Sequence, residues 1–355
     1  MSSYRRGSLG DDAGYVPGEQ PPDDGGWLKL NTNESPLPPS AAVGPAVAAA
    51  VPLLHRYPNA DAEPLRSALA RLHGVEPEQV IVGNGGDQLL DCCMRAFCES
   101  GDLALWPWPT YSLLPVIARI AGVVPVPLPL EGETRPLPPR ALGTEPGRLR
   151  FLVNPNAPTG TWLDSAELEA LLGEAPGVVV IDEAYGDFAP AGAIPLLPRH
   201  PSWLVLRTLS KSHALAGLRV GYAVGSPELI RDLVAVRDSY PVDRLALAAA
   251  TAAVGDVAHH ARIVATVLEQ RARLTAALRA DGWDVTESHA NFIWARPPGG
   301  DAVGTQARLR AARILVRHFA GVDPHRLRIS VGDASAVDRL LAALAGTAGE
   351  VSLSA

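Results

Sequence analysis

Lys211 lies in the run Arg207-Thr208-Leu209-Ser210-Lys211-Ser212-His213-Ala214-Leu215-Ala216-Gly217-Leu218-Arg219-Val220-Gly221-Tyr222, with hydroxyls before the lysine and an arginine after it. A lysine amine condenses with a carbonyl group to form a Schiff base. Thr208, Ser210 and Arg219 offer hydrogen-bond donors and a positive charge, which suit a phosphate held beside that carbonyl. The run reads as a place to hold a phosphorylated aldehyde.

A second segment, Val178-Val179-Val180-Ile181-Asp182-Glu183-Ala184-Tyr185, ends an apolar stretch on an acid and sets a tyrosine three residues further on. Such a stretch is expected to be a buried parallel strand with functional groups at its carboxyl end. Taken alone, Asp182 would read as the cap of a following helix. Beside Lys211 it reads as the anion that keeps a pyridine nitrogen protonated, with Tyr185 at the ring's phenolic oxygen. The phosphorylated aldehyde is then pyridoxal 5'-phosphate (PLP). A third segment, Val82-Gly83-Asn84-Gly85-Gly86-Asp87-Gln88-Leu89-Leu90, breaks from a strand into glycines and enters a helical pattern. Free N–H groups at a helix start face an anion, so Gly86, Asp87 and Gln88 are expected to meet the phosphate opposite Ser210 and Arg219.

These groups need elements to position them. Apolar runs at Val80–Val82, Leu103–Leu105, Phe151–Val153, Val178–Ile181, Leu204–Leu206 and Val220–Val224 predict strands, with helical patterns between most of them. One helix is expected to start at Asp164-Ser165-Ala166-Glu167 with capping-box spacing, another at Ser226-Pro227-Glu228 with proline at its first position. The alternation implies an α/β sheet with the site at strand ends. The Pro-rich stretch from Val124 to Pro146 reads as a surface excursion. Beyond Ala250 an alanine-rich helical segment leads to strand candidates at Asn291–Trp294 and Arg328–Val331, which read as a smaller domain.

The sequence resembles the fold-type I aminotransferases of class I/II, and among them the histidinol-phosphate aminotransferases. The motifs run in the family's order: Tyr15-Val16-Pro17-Gly18, Leu30-Asn31-Thr32-Asn33-Glu34-Ser35-Pro36, Arg56-Tyr57-Pro58, Pro109-Thr110-Tyr111, Asn154-Pro155-Asn156-Ala157-Pro158-Thr159-Gly160, the Asp182/Tyr185 strand end, the lysine run, Ala290-Asn291-Phe292 and Leu327-Arg328-Ile329-Ser330-Val331-Gly332. The resemblance implies a PLP-dependent transferase with a large domain (31–250) built on a mostly parallel sheet. It also implies a smaller α+β domain formed by 1–30 and 251–355. Lys211, Asp182 and Tyr185 would be the catalytic group, and Tyr111 would stack on the pyridine face. Asn156 would donate to the phenolic oxygen, although the family motif often carries asparagine where this chain has Ala157. Tyr57 would reach the cofactor phosphate of a second subunit in a homodimer with shared active sites. Tyr15, Asn33, Arg317 and Arg328 would contact substrate, with Arg317 and Tyr15 on a substrate phosphate; the pattern Arg-Ile-Ser-Val-Gly favours Arg328 over Arg326. The implied partners are an amino donor and a 2-oxo acid, histidinol phosphate and 2-oxoglutarate or a related aromatic or specialised amino acid. Two other readings stay open: a PLP-dependent decarboxylase of an amino-acid O-phosphate, and a non-catalytic PLP-fold effector domain.

The chain's 355 residues, 47% hydrophobic and 19% charged, suit a globular protein with room for two domains. A formal net charge of -7 argues against nonspecific nucleic-acid or acidic-membrane binding. Cys92, Cys93 and Cys98 crowd one predicted helix, as reduced core thiols of a cytoplasmic protein would, and no metal site is expected. The adjacent pair His259-His260 reads as solvated helix surface. The N-terminus lacks an apolar signal region, and its first residues up to about Gly10 are expected to be disordered.

Overall fold

The computed structural model describes Tyr4, Arg6, and residues 14–22 and 26–346. Seven strands make the larger sheet: β2 (Val80–Asn84), β3 (Leu103–Trp108), β4 (Val124–Pro129), β5 (Leu149–Val153), β6 (Val178–Asp182), β7 (Trp203–Thr208) and β8 (Val220–Gly225). Their spatial order is β2-β8-β7-β6-β5-β3-β4, and only β8 runs against the rest. Both faces are covered. Alternate residues such as Val179, Ile181 and Val205 join one buried cluster, while Val180, Leu204 and Leu206 join the other. This two-sided burial is why these strands read as unbroken apolar runs. The helix Gly85–Phe97 packs one face with Leu89, Leu90, Cys92, Cys93 and Met94, and the helix Arg244–Gly255 packs the other with Ala246, Ala249, Ala250 and Ala253. Cys92, Cys93 and Cys98 are free thiols, the first two fully buried.

The Pro-rich stretch corrects the sequence expectation. Val124–Pro129 is not a surface excursion but the edge strand β4, parallel to β3. Its prolines at 125, 127 and 129 alternate, so their missing N–H groups fall on one side of the strand. An edge strand tolerates that because only one side is paired. The expected helix starts are present: Asp164 and Glu167 form a reciprocal capping box, and Ser226 accepts from the Leu229 N–H with Pro227 at the first helical position.

The smaller sheet joins β1 (Leu28–Leu30), β11 (Ile314–His318), β12 (Leu327–Ser330), β10 (Phe292–Arg296) and β9 (Asp284–Val285), in that order. β1 pairs parallel with β11, and the remaining pairs are antiparallel. The long helix Val257–Ala280 buries Leu274 and Leu278 against this sheet. Strands β1, β9 and β11 were not foreseen; β1 and β9 are too short to show an alternation. Most of the expected disordered stretch up to Gly10 lies outside the described residues, although Arg6 donates to Ile120 O at 3.1 Å. No helix among the described residues is long and apolar enough to cross a membrane.

Candidate active site

The carboxyl ends of the parallel strands open into a cavity of about 190 Å³ between the two sheets. Tyr15, Asn33, Gly86, Asp87, Tyr111, Asp182, Tyr185, Thr208, Ser210, Lys211, Arg219, Arg317 and Arg328 all line it, so most residues singled out in the sequence meet in one place.

One wall is built for a phosphate. The helix Gly85–Phe97 has no side-chain cap at its N-terminus, leaving its first N–H groups free beside Gly86 and Asp87. Arg219 turns into the left-handed region (φ 54°) and sends Nη2 to Asp87 Oδ2 at 3.3 Å. Thr208 Oγ1 donates to Ser210 Oγ at 2.9 Å, so both hydroxyls gather at this end. Gly85 has φ 76°, and a Cβ there would sit 2.8 Å from Arg219 Nη2. A Cβ on Gly221 would lie 2.6 Å from the Gly86 nitrogen. Only glycine lets these two backbones approach so closely. Gln88 departs from its expected role. It does not line the cavity; its Oε1 accepts from the Asn84 N–H (2.7 Å) and its Nε2 donates to Asp238 (2.6 Å).

The second wall is built for an aromatic ring bearing charge. Asp182, at the end of β6, accepts one hydrogen bond, from the Ala184 N–H at 2.9 Å. Burial pushes its carboxyl up to about 7, and the opposing pull of Lys211 is the smallest of its influences. A buried carboxylate this poorly compensated is suited to a cationic N–H. Tyr111 donates to Asp87 Oδ1 at 2.9 Å, which fixes its ring in the cavity wall. Tyr185 receives Asn33 Nδ2 at 2.9 Å, and Asn33 Oδ1 is held by Ser330 at 3.0 Å. Asn33 thus ties the smaller sheet to the Tyr185 hydroxyl, at φ 54°.

Asn156 corrects another expectation. Its amide donates to Pro109 O (3.1 Å) and Thr159 Oγ1 (3.0 Å), its oxygen accepts from Thr110 (2.7 Å), and it does not line the cavity. Ala157 and Pro158 line that stretch instead. Both amide hydrogens of Asn156 are spent on Pro109 and Thr159, so none is free for a ligand. Tyr57 also stays outside this cavity; it is 78% exposed and stacks on Tyr240 at 4.6 Å.

Lys211 is half-buried and lines the cavity, its Nζ 3.3 Å from Thr32 O and 5.9 Å from the centre of the Tyr185 ring. Burial, followed by the nearby Arg328, lowers its pKa to about 8. The neutral amine that attacks an aldehyde is therefore about a tenth of the population at pH 7, far more than an ordinary lysine offers. In the cofactor-free protein, the rate of PLP capture is expected to rise about tenfold per pH unit below 8 and to level above it. A rate still climbing toward 10, measured by absorbance in a rapid-mixing experiment, would overturn this.

The third wall carries two arginines. Arg317 on β11 and Arg328 on β12 are directly opposite in register, an arrangement that ordinarily repels. Phe319 packs against both, with the two guanidinium carbons 5.2 and 5.1 Å from its ring centre. Arg328 also stacks on Phe292 at 5.4 Å, donates to Asn31 O at 3.0 Å and leaves its buried Nε without a partner. Arg317 holds the N-terminal segment through Val16 O (3.0 Å) and Pro17 O (3.1 Å), and Tyr15 packs edge-on against Tyr111 at 6.0 Å. Neither arginine forms an ion pair among the described residues. Two adjacent unpaired cations make a binding place for an anion. Sequence reading missed Asn31, Thr32, Trp108 and Phe319 as lining residues; only position in the fold brings them here.

Other histidines behave differently from expectation. His259 and His260 are half-buried, not solvated: the first contacts Pro38 O at 2.9 Å, the second Asp187 Oδ2 at 3.3 Å.

An α/β fold with a lysine, an aspartate and an uncapped helix start converging at the strand ends defines a protein that fits PLP. The chain belongs to the aminotransferase class I and II family, whose pattern matches residues 25–344. It is 40% identical over 341 residues to a histidinol-phosphate aminotransferase of Geobacter sulfurreducens, covering 94% of this chain and 96% of that one. It is 45% identical over 338 residues to histidinol-phosphate aminotransferase 2 of Thiobacillus denitrificans, covering 93% and 94%. Among solved structures, the histidinol-phosphate aminotransferase of Sinorhizobium meliloti in complex with pyridoxal-5'-phosphate is similar, with a TM-score of 0.84 at 26% identity over 92% of this chain and 91% of that one.

Proposed function

We propose that this chain is a PLP-dependent histidinol-phosphate:2-oxoglutarate aminotransferase of histidine biosynthesis. The observation that carries the substrate is the pairing of Arg317 with Arg328 beside Tyr15, on the wall facing Lys211. When bound, PLP supplies an electron sink for the bond broken at the amino donor's Cα. The N–H groups of Gly86 and Asp87, the hydroxyls of Thr208 and Ser210, and Arg219 would hold its phosphate, Tyr111 would pack its ring, and Asp182 and Tyr185 would serve its nitrogen and phenolic oxygen. Lys211 Nζ would take the proton from the donor's Cα and return a proton to the 2-oxo acid's Cα in the reverse half. Arg328 and Arg317 fix the substrate's anionic end so that the Cα–H bond faces Lys211.

The reading is tested by a substrate panel on the purified enzyme. Transamination of histidinol phosphate with 2-oxoglutarate is expected; efficient use of phenylalanine with no use of histidinol phosphate would defeat it. Release of carbon dioxide without amino-group transfer would favour the decarboxylase of an amino-acid O-phosphate. Arg328→Lys is expected to raise KM for histidinol phosphate roughly 10–100-fold with kcat within a few-fold, because a point charge replaces a planar fork.

Several further features belong to this proposal. Tyr57 and its stacked neighbour Tyr240, together with exposed Val51, Leu53 and Leu54, form an apolar patch suited to a second subunit. In a homodimer Tyr57 would complete the partner's phosphate site. The division into 31–250 and 1–30 with 251–355 is supported by the membership of the two sheets, although the helix Arg244–Gly255, which packs Ala253 and Val254 into the larger core, carries the large unit past residue 250. A cytoplasmic location accords with three free cysteines.

A further inference from the structure

Lys211 sits in the irregular stretch between β7 and the short 3-10 turn Ala216–Leu218 that precedes β8. Backbone bonds close the ends of this stretch, from the Leu209 N–H to Val220 O (3.0 Å), the Leu215 N–H to Leu209 O (3.0 Å) and the Leu218 N–H to Leu215 O (3.0 Å), and the Ala214 N–H to Lys211 O bond (3.2 Å) spans the lysine itself. Its next residue, Ser212, is only 2% exposed and donates its hydroxyl in a short hydrogen bond to Asp187 Oδ2. Asp187 Oδ1 accepts from Arg207 Nη1 at 2.6 Å, and Oδ2 is also 3.3 Å from His260 Nε2. Arg207 is itself held by Glu183 Oε2 through Nε (2.9 Å) and Nη2 (2.6 Å).

Donor and acceptor roles in this cluster follow from Asp187. An ionised carboxylate only accepts, so Ser212, Arg207 and His260 Nε2 must all donate to it. These partners hold Asp187 well below the usual carboxylate range despite its burial. Ser212 Oγ, having given its hydrogen to Asp187, must accept from His213 Nδ1 at 3.2 Å. His213 is kept neutral by burial, its pKa near 4, so one nitrogen carries that hydrogen and the other does not. Its ring also lies against His260, with centroids 4.4 Å apart. The donor atoms of Asp187, His213 and His260 lie within 4.8 Å of one another, a spacing a metal could use. The Arg207 cation already on Asp187 opposes that, and every contact above is satisfied as a hydrogen bond.

We propose that Asp187 is a positioning residue for Lys211, gripping the lysine loop through Ser212, and that His260 braces it from the long helix that packs on the smaller sheet. This rests on Lys211 being the PLP lysine. The loop would otherwise hinge about Lys211, whose amine has a single hydrogen-bond partner of its own. In capture, the Nζ forms a C=N bond to the aldehyde carbon, and the aldehyde oxygen leaves as water with the two amine hydrogens. Its rate therefore reports how well the amine is aimed.

The test compares cofactor-free variants by rapid mixing with PLP and by equilibrium binding of pyridoxine 5'-phosphate, which fills the same site but has no aldehyde. Ser212→Ala and Asp187→Asn are expected to slow capture about tenfold or more while pyridoxine 5'-phosphate affinity stays within about twofold. His260→Leu is expected to slow it about fivefold, and His260→Gln, which keeps a donor, to restore most of the rate. Should Asp187→Asn fail to fold, Ser212→Ala and the His260 pair decide the matter. Unchanged capture in Ser212→Ala and His260→Leu, or a loss of pyridoxine 5'-phosphate binding equal to the loss of capture, would overturn the proposal. Lys211→Ala separates the two claims: if it still captures PLP covalently, the reading of Lys211 fails as well.

Discussion

Replacing Lys211 with alanine is expected to abolish covalent retention of PLP and to lower transamination by at least about 10³-fold, since one side chain supplies both attachment and proton transfer. Attachment is read directly: borohydride treatment of the loaded parent enzyme should fix the cofactor to the peptide containing Lys211, and the variant should carry none. Lysine type alone does not make this prediction, because the chain has other cations near the cavity. Lys211 is the lysine that lines it, with its pKa drawn down to about 8. Noncovalent PLP should still bind the variant, because the helix start at Gly86, the hydroxyls of Thr208 and Ser210, and Arg219 remain. A loaded variant that keeps covalent cofactor would sink the assignment.

Asp182→Asn is expected to lower kcat by about 10²–10³-fold, a loss of roughly 3–4 kcal/mol of transition-state stabilisation. The substitution keeps shape and removes charge. In the parent, Asp182 accepts one backbone hydrogen bond and burial lifts its carboxyl to about 7, so the side chain has unused capacity for a cation. An amide cannot keep a ring nitrogen protonated, so the electron sink weakens even where the ring binds in place. The prediction is checked by comparing kcat and PLP retention: a fall in kcat with the cofactor still attached supports it, and wild-type turnover by the PLP-loaded Asp182→Asn enzyme would refute it.

The sequence carried the chemistry further than the packing. Lys211, Asp182 and Gly86 could be brought to one edge from sequence because each follows an apolar run and parallel strands end on one edge, and Arg219 joins them because it precedes the one antiparallel strand, β8. The helix starts at Ser165 and Pro227 were legible because caps are local. The structure departs from the sequence reading where a side chain's hydrogen-bond partners depend on how the backbone folds around it. Gln88 and Asn156 had the right type and position, yet Asp238, Pro109 and Thr159 occupy their amides. The prolines of Val124–Pro129 looked like loop because a propensity cannot tell whether a strand has one paired side or two.

Residue order alone thus pointed to a reactive set of a lysine among hydroxyls, an acid at a strand end and a glycine turn before a helix, to which the family resemblance added two arginines near the end of the chain. It could do so because covalent chemistry depends on side-chain type and on strand and helix termini, which are short-range properties. The tertiary structure decided who faces whom. It put Arg317 opposite Arg328 with Phe319 packed against both, left Asn156 outside the cavity lining, and drew Ser212, Asp187 and His260 together from three separate segments of the chain. Those outcomes depend on strand register and on the docking of one sheet against another, and both are set by the burial of the whole core rather than by any window of sequence.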